Sequence, residues 1–309
     1  MFDTKKSIVQ ELFLPQFNKR NIQLFVKRDD LIDEFVSGNK WRKLKYNIAH
    51  TKQQKKTGIL TFGGAFSNHL LATASACNAA GLRALGLVRG DELNPDSNNL
   101  LKKCAELGMQ LKFISREEYH LRKEKSYHEE LTFDFPNYQI VPEGGSNYYG
   151  MIGCQEILQE TSNDFDHIFI AQGTTTTSAG IALGLKESCQ LHVVPVLKGF
   201  DAKAEMNELF KYSGIESEMV AEILERTAVL SEYHFGGYGK YTSELLDFME
   251  MIFKITNVPL DPVYTGKAFF ALVDWVTKTN ATDSKILFIH TGGIQGGKFI
   301  EQKEGRTFS

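Results

Sequence analysis

Apolar and polar residues fall into blocks along this chain, and the blocks alternate between two spacings. Short apolar runs with polar or glycine borders read as buried strands. They cover Ile22 to Lys27, Gly58 to Phe62, Leu82 to Val88, Met109 to Ile114, Gln139 to Val141, His167 to Ala171, Leu191 to Val196 and Lys285 to His290. Between them lie longer stretches with apolar residues three and four apart, the spacing of a helix with one buried face. The first opens at Gly38-Asn39-Lys40, with Trp41, Leu44 and Ile48 on one side and Asn39 as its expected cap. Others cover Ser67 to Ala80, Ser97 to Leu107, Gly150 to Glu160, Thr177 to Lys186, Ala202 to Tyr212, Glu244 to Thr256 and Lys267 to Thr279. Ser115 to Pro136 is weakly patterned and reads as helical with a mobile loop. Strand–helix alternation of this kind predicts an α/β chain: parallel sheets with helices on both faces. Two such sheets would leave a ligand cleft between them.

Composition narrows the picture. The chain has 309 residues, long enough for two domains, and 42% hydrophobic residues, enough for a sizeable core. A net charge of -3 gives no nucleic-acid footprint. No apolar run reaches membrane-spanning length, and Met1-Phe2-Asp3-Thr4-Lys5-Lys6 lacks the apolar core of a signal peptide. The four cysteines, Cys77, Cys104, Cys154 and Cys189, lack metal-ligand spacing and sit in or beside apolar segments. Reduced core thiols in a cytoplasmic protein are expected. No metal is expected.

Several stretches carry candidate chemistry. In Ser37-Gly38-Asn39-Lys40-Trp41-Arg42-Lys43, two lysines near a helix start suit an imine with an aldehyde and neutralisation of an anion, or simply a solvated basic face. Thr61 to His69 runs from a strand through Gly63-Gly64 into a helix, offering close backbone approach and open amides, with Ser67, Asn68 and His69 adding hydroxyl, amide and imidazole. Gly173-Thr174-Thr175-Thr176-Thr177-Ser178 makes the same transition and suits a phosphate cradle or an ordinary capped turn. Asp261-Pro262-Val263-Tyr264-Thr265-Gly266-Lys267 and His290-Thr291-Gly292-Gly293 lie at element ends, where α/β sheets place ligands. Gly292, Gly297 and Lys298 imitate a nucleotide-binding P-loop, but Phe299 stands where the magnesium-binding hydroxyl belongs.

Taken together, Lys27-Arg28-Asp29-Asp30-Leu31, Gly38-Asn39-Lys40, Ser67-Asn68-His69, Gly144-Gly145-Ser146-Asn147, Asp261-Pro262-Val263-Tyr264 and His290-Thr291-Gly292-Gly293 resemble, in order, the 1-aminocyclopropane-1-carboxylate (ACC) deaminase / D-cysteine desulfhydrase family. These are pyridoxal-phosphate enzymes of the tryptophan-synthase β-like fold. The resemblance spans nearly the whole chain. It implies that Lys40 carries pyridoxal 5'-phosphate covalently, that Lys43 lies near the phosphate, and that Asn68 bonds the ring oxygen. It implies that Ser67 receives the substrate carboxylate, with His69 and Thr291 also on the substrate side. Tyr264 would face the cofactor ring, with Thr265 beside the ring nitrogen and Tyr238 as a second active-site tyrosine. Thr174, Thr175, Thr176 and Thr177 match the phosphate loop. The family usually has glycines there, and threonine disfavours positive φ.

The resemblance also implies a larger cofactor-binding domain, 1–44 with 154–309, and a smaller mobile one, 45–153. The active site would lie in the cleft between them, with Gly144-Gly145 as hinge. A homodimer acting on a small amino acid is expected, with neither nucleic acid nor membrane as partner. The expected reaction is β-elimination from D-cysteine, giving a 2-oxo acid, ammonia and sulfide; ACC deamination is the alternative. A non-catalytic cofactor carrier or sensor is a third reading. Thr265 and Thr291 favour the desulfhydrase, because ACC deaminases resemble Asp-Pro-Val-Tyr-Glu and His-Leu-Gly-Gly at these places.

Overall fold

The apolar runs pair into two sheets in the computed structural model, which describes residues 2–36, 38–161 and 164–308. Ser37, at the start of the Gly-Asn-Lys stretch, and the Phe299 side chain lie outside the described residues. In chain order the strands are β1 (Val9–Leu12), β2 (Gln23–Lys27), β3 (Gly58–Gly64), β4 (Arg83–Arg89), β5 (Met109–Ile114), β6 (Tyr138–Val141), β7 (His167–Gln172), β8 (Gln190–Pro195), β9 (Thr227–Val229) and β10 (Lys285–Ile289). The chain divides into two compact units. One comprises Met1–Phe2, Asp33–Val36 and Lys40–Gly153; the other comprises Asp3–Ile32, Ser37–Asn39 and Cys154–Ser309. Lys40 to Leu44, assigned from sequence to the larger domain, group with the first unit.

The first unit holds a parallel sheet in the order β5-β4-β3-β6. Leu60, Phe62, Leu85 and Leu87 point from its central strands into a core completed by Ile114, Tyr119, Tyr127 and Leu131. Tyr119 belongs to the short Arg116–His120 helix, and Tyr127 and Leu131 to Lys125–Asp134. Thus most of the weakly patterned stretch is helical.

The second unit holds a sheet in the order β1-β2-β10-β7-β8-β9, parallel except for the antiparallel β1–β2 pair. Its core joins Leu24, Val26, Phe169 and Phe288 to two helices. Ser243–Thr256 contributes Leu245, Leu246, Met249 and Ile252, and Thr265–Thr279 contributes Ala268, Phe269, Leu272 and Val276. Each large apolar side chain buried this way contributes about 1.5–3 kcal/mol. In register, Ile289 of β10 faces Lys27 of β2 and Ile170 of β7. The segments leaving β10 and β7, Thr291 and Gly173 to Thr177, therefore emerge at one edge, the carboxyl ends of the strands.

Two strands and two longer helices were not legible in the pattern. β1 and β9 are only four and three residues long, too short for a period to show. Ser217–Glu225 and Ile294–Glu304 are helical as well. All four cysteines are buried, and burial pushes the thiols of Cys77, Cys104 and Cys189 up to about 12. Among the described residues no helix is long and apolar enough to cross a membrane, and no metal-ligating cluster forms.

Candidate active site

In the second unit, the turn after β7 leads through Gly173 into the Thr176–Leu183 helix. Thr175 sits before that helix at φ -66 and ψ -20, and no threonine of the turn adopts the left-handed region. The chain thus makes this turn with threonines outside the left-handed region, where the resemblance implied glycines. The Thr175 hydroxyl accepts from Gln172 Nε2 at 3.1 Å, and its carbonyl accepts from Ser178 Oγ at 2.8 Å. The Thr175 side chain makes no cap, which leaves the first amides of the helix to other partners. Thr176 Oγ1 is fully buried and has no hydrogen-bond partner among the described residues. Thr177 Oγ1 accepts from Asn39 Nδ2 at 2.8 Å. Asn39 is therefore not a cap of its own helix: it is the first helical residue, and its side chain reaches the threonine turn. Its backbone N–H donates to Thr291 O at 3.3 Å. Gly38 makes this seat possible: its φ is +62, and a Cβ there would lie 2.0 Å from Thr291 O. Lys40, half-buried, is the next residue in the chain.

The aromatic part of this unit is built on Asp261. Its carboxylate accepts from the N–H groups of Val263, Tyr264 and Thr265 and from Thr265 Oγ1, all at 2.8–2.9 Å. Thr265 Oγ1 also accepts from Asp261 N at 2.8 Å. The single Thr265 hydroxyl proton thus points at Asp261, and the side chain is fully buried. Tyr264, just before the helix, lies against the threonine turn: a Cβ on Gly173 would come within 2.6 Å of its Cε1. The Tyr238 ring stands edge-on to Tyr264, with centroids 6.1 Å apart and planes at 70°. His290 fixes the Thr291 seat. Its Nδ1 accepts from Gly292 N at 3.2 Å, so Nε2 carries the proton and donates to Pro259 O at 2.6 Å. The P-loop-like glycines have packing roles. Gly292 N adjoins Gly38, and a Cβ on Gly297 would lie 3.5 Å from Leu260 O.

In the first unit, β3 runs through Gly63 to Ser67, Asn68 and His69 at the head of the Asn68–Ala80 helix. Ser67 is the N-cap, its Oγ accepting from Leu70 N at 3.4 Å, and a Cβ on Gly63 would collide with it. Ser67 and Asn68 are half-buried. His69 is buried, and its tautomer follows from its neighbour. Thr61 Oγ1 donates to Val141 O at 2.7 Å, so it must accept from His69 Nε2–H at 3.0 Å. That leaves Nδ1 with a lone pair and no partner among the described residues. Burial, reinforced by the charges of Lys43 and Lys40, lowers His69 to about 3. Lys43 is buried, and Gly145, at φ +70, would place a Cβ 2.9 Å from Lys43 Cβ. The structure thus groups Lys40, Lys43 and His69 in one unit and the threonine turn, Thr291, Tyr238, Tyr264 and Thr265 in the other.

Residues 10–292 match the sequence profile of a family described as "Pyridoxal-phosphate dependent enzyme". The chain belongs to that family. Its relatives include a bifunctional D-cysteine desulfhydrase/1-aminocyclopropane-1-carboxylate deaminase of Arabidopsis thaliana, 33% identical over 300 residues, covering 89% of this chain and 73% of the relative. Another, from Pyrococcus horikoshii, is provisionally named a 1-aminocyclopropane-1-carboxylate deaminase; it is 32% identical over 291 residues, covering 92% and 89%. A crystal structure of an ACC deaminase homologue superposes with a TM-score of 0.77 at 28% identity, covering 97% of this chain and 92% of the other.

Within this pyridoxal-phosphate-dependent family member, three contributors escaped sequence reasoning. Thr61 dictates the His69 tautomer, Asp261 builds the Tyr264 turn, and Lys267 is fully buried with its ammonium on two loop carbonyls. Only Lys267 left a local trace: a lysine in a helix first turn, where the dipole opposes it, followed by Ala268-Phe269-Phe270.

Proposed function

We propose that this enzyme is a lyase eliminating the β-substituent of a small amino acid, with D-cysteine as the preferred substrate. The donor set fits the family cofactor. A buried Thr176 hydroxyl, partnerless among the described residues, beside the first amides of a helix that the Thr175 side chain does not cap matches a phosphate group. The Tyr264 ring beside that turn offers a flat apolar face. Thr174 to Thr177 would hold the phosphate mainly through backbone N–H groups, with Lys43 balancing its charge, and Asn68 would bond the ring oxygen. Lys40 would carry the cofactor covalently. What the bound cofactor supplies is capture of an amine and a conjugated ring that accepts electrons from Cα.

The chain's own groups divide the remaining work. Ser67 Oγ accepts from Leu70 N, so its proton is available to donate to a substrate carboxylate. His69, held neutral, offers only an acceptor at Nδ1. It suits a donor group of the substrate and not the carboxylate. The Lys40 amine, once free, is the base for the Cα proton, and Tyr238 and Tyr264 confine the side chain of the substrate.

Position 265 carries the choice of D-cysteine. A carboxylate beside a ring nitrogen would hold it protonated and strengthen electron withdrawal. Thr265 carries no charge, and its proton is directed at Asp261. A weaker electron sink suffices to expel thiolate, a good leaving group, whereas opening a cyclopropane asks for more. The doubly named Arabidopsis relative keeps ACC deamination as the second reading. Purified holoenzyme assayed with D-cysteine, L-cysteine, D-serine and ACC tests both. D-Cysteine should exceed ACC in kcat/KM by about 100-fold, the scale at which one leaving group or contact separates substrates. A preference for ACC overturns the reading. Thr265→Glu would set a second carboxylate against Asp261, so Thr291→Leu is the cleaner variant, expected to narrow the gap.

A further inference from the structure

Lys267 occupies an expensive position. It lies in the first turn of the Thr265–Thr279 helix, where the dipole disfavours a cation, and is fully buried. Desolvation lowers its ammonium to about 8, with the Asp261 carboxylate working in the opposite direction. A methionine would fill the same space without these costs.

Its partners explain the choice. Lys267 Nζ donates to His234 O and to Gly237 O, each at 2.8 Å. The same two carbonyls close consecutive turns: Gly237 N donates to His234 O, and Lys240 N to Gly237 O. Between these turns the backbone is left-handed at Phe235, Gly236, Gly237 and Gly239, with φ of 50, 93, 112 and 68. Such a segment holds its shape only where its surroundings fix it. Phe235 anchors one end by packing edge-on against Phe270 at 5.1 Å. The ammonium pins both turns, and Tyr238 follows directly on the second pinned carbonyl. Tyr264 and Lys267 leave the same helix start, so one element supplies both the ring that Tyr238 meets and the clamp on the loop that presents Tyr238.

We propose that Lys267 is a positioning residue: it locks the paired turns at His234 to Lys240 so that Tyr238 stands edge-on to Tyr264. The proposal rests on the active-site reading of these tyrosines given above. Lys267→Met tests it, since both carbonyls keep their amide partners and the variant should fold. Hydrogen exchange at residues 236–240 of the cofactor-free protein should accelerate about tenfold or more, with the rest of the second unit unchanged. In the holoenzyme KM should rise about tenfold with kcat falling less, the pattern of lost substrate positioning. Lys267→Gln, which keeps a donor, should recover part of the protection. The double variant Lys267→Met/Tyr238→Ala should be no worse than Tyr238→Ala, since the clamp acts through that side chain. Unchanged loop exchange, or additive kinetic losses, overturns the clamp. Accelerated exchange with Tyr238→Ala fully active also overturns its role in catalysis, while product analysis with D-cysteine judges the lyase reading separately.

Discussion

Two turns in this molecule share one topology and use it in opposite ways. Each leaves the carboxyl end of a central parallel strand, passes a glycine and starts a helix: Gly63 to His69 after β3, and Gly173 to Thr177 after β7. At the first, Ser67 caps the helix, which satisfies a backbone amide, while Ser67 and Asn68 are half-buried and His69 is buried. At the second the Thr175 side chain makes no cap, and the hydroxyl of Thr176 is buried without a partner among the described residues. A capped turn satisfies its backbone and presents side-chain chemistry, here the buried lone pair of His69 Nδ1. The second turn leaves its first amides to other partners and strands a hydroxyl, a deficit that an anion removes. On the function proposed above, the first turn would meet substrate through side chains and the second would meet phosphate through backbone.

The strongest test acts on the residue that follows Asn39, the bonding partner of the second turn. Lys40→Ala should remove the covalent link to cofactor and nearly all turnover. Borohydride reduction followed by peptide mapping should label Lys40 in the wild type; a label on another lysine would sink the assignment.

A paired substitution then sets the turns against each other. Thr176→Val removes a buried hydroxyl that has no partner, so the cofactor-free protein should hold its stability or gain about 1 kcal/mol, while cofactor affinity falls about tenfold. Ser67→Ala should do the reverse: about 1 kcal/mol of stability lost with the cap, cofactor affinity unchanged, and KM for the amino acid raised. Equilibrium denaturation and cofactor titration read both. If the two variants behave alike, the distinction between the turns fails.

The smallest effect concerns pH, because only the first turn carries a titratable ring. His69, and His192 in the second unit's sheet, titrate near 3 in the native state against 6.5 for an ordinary histidine, chiefly through burial. Between those values the unfolded chain binds more protons than the native one, so stability falls as pH drops from about 6.5 toward 3. Replacing His69 with glutamine should flatten this slope without altering stability above pH 7 by the same route, as followed by urea midpoints at pH 7 and pH 5.

How far such features were legible in the chain depends on their range. Met109–Ile114 and Ala202–Tyr212 were read at both ends because apolar spacing is local. The site motifs were legible by resemblance, yet the bonds that arrange them were not. Asn39 reads as a helix cap from its neighbours, but its real partner, Thr177, is 138 residues away. Thr265 reads as a ligand of the cofactor ring, while its proton goes to Asp261 within the same turn. Lys267 falls in a stretch read as a ligand site, and nothing nearby in sequence announces the carbonyls of His234 and Gly237. Pairings of this kind carry no period.

The pairing of β2 with β10 has a consequence for biosynthesis. Lys40–Gly153, which contains every strand of the four-stranded sheet, is continuous in the chain and leaves the ribosome early. Asn39 waits, since the Thr291 carbonyl that receives its N–H follows β10. At about 5–20 residues per second, the interval between Asn39 and Thr291 is tens of seconds, roughly 13 to 50. A nascent chain therefore displays Lys40 long before the Gly38–Asn39 segment has its seat.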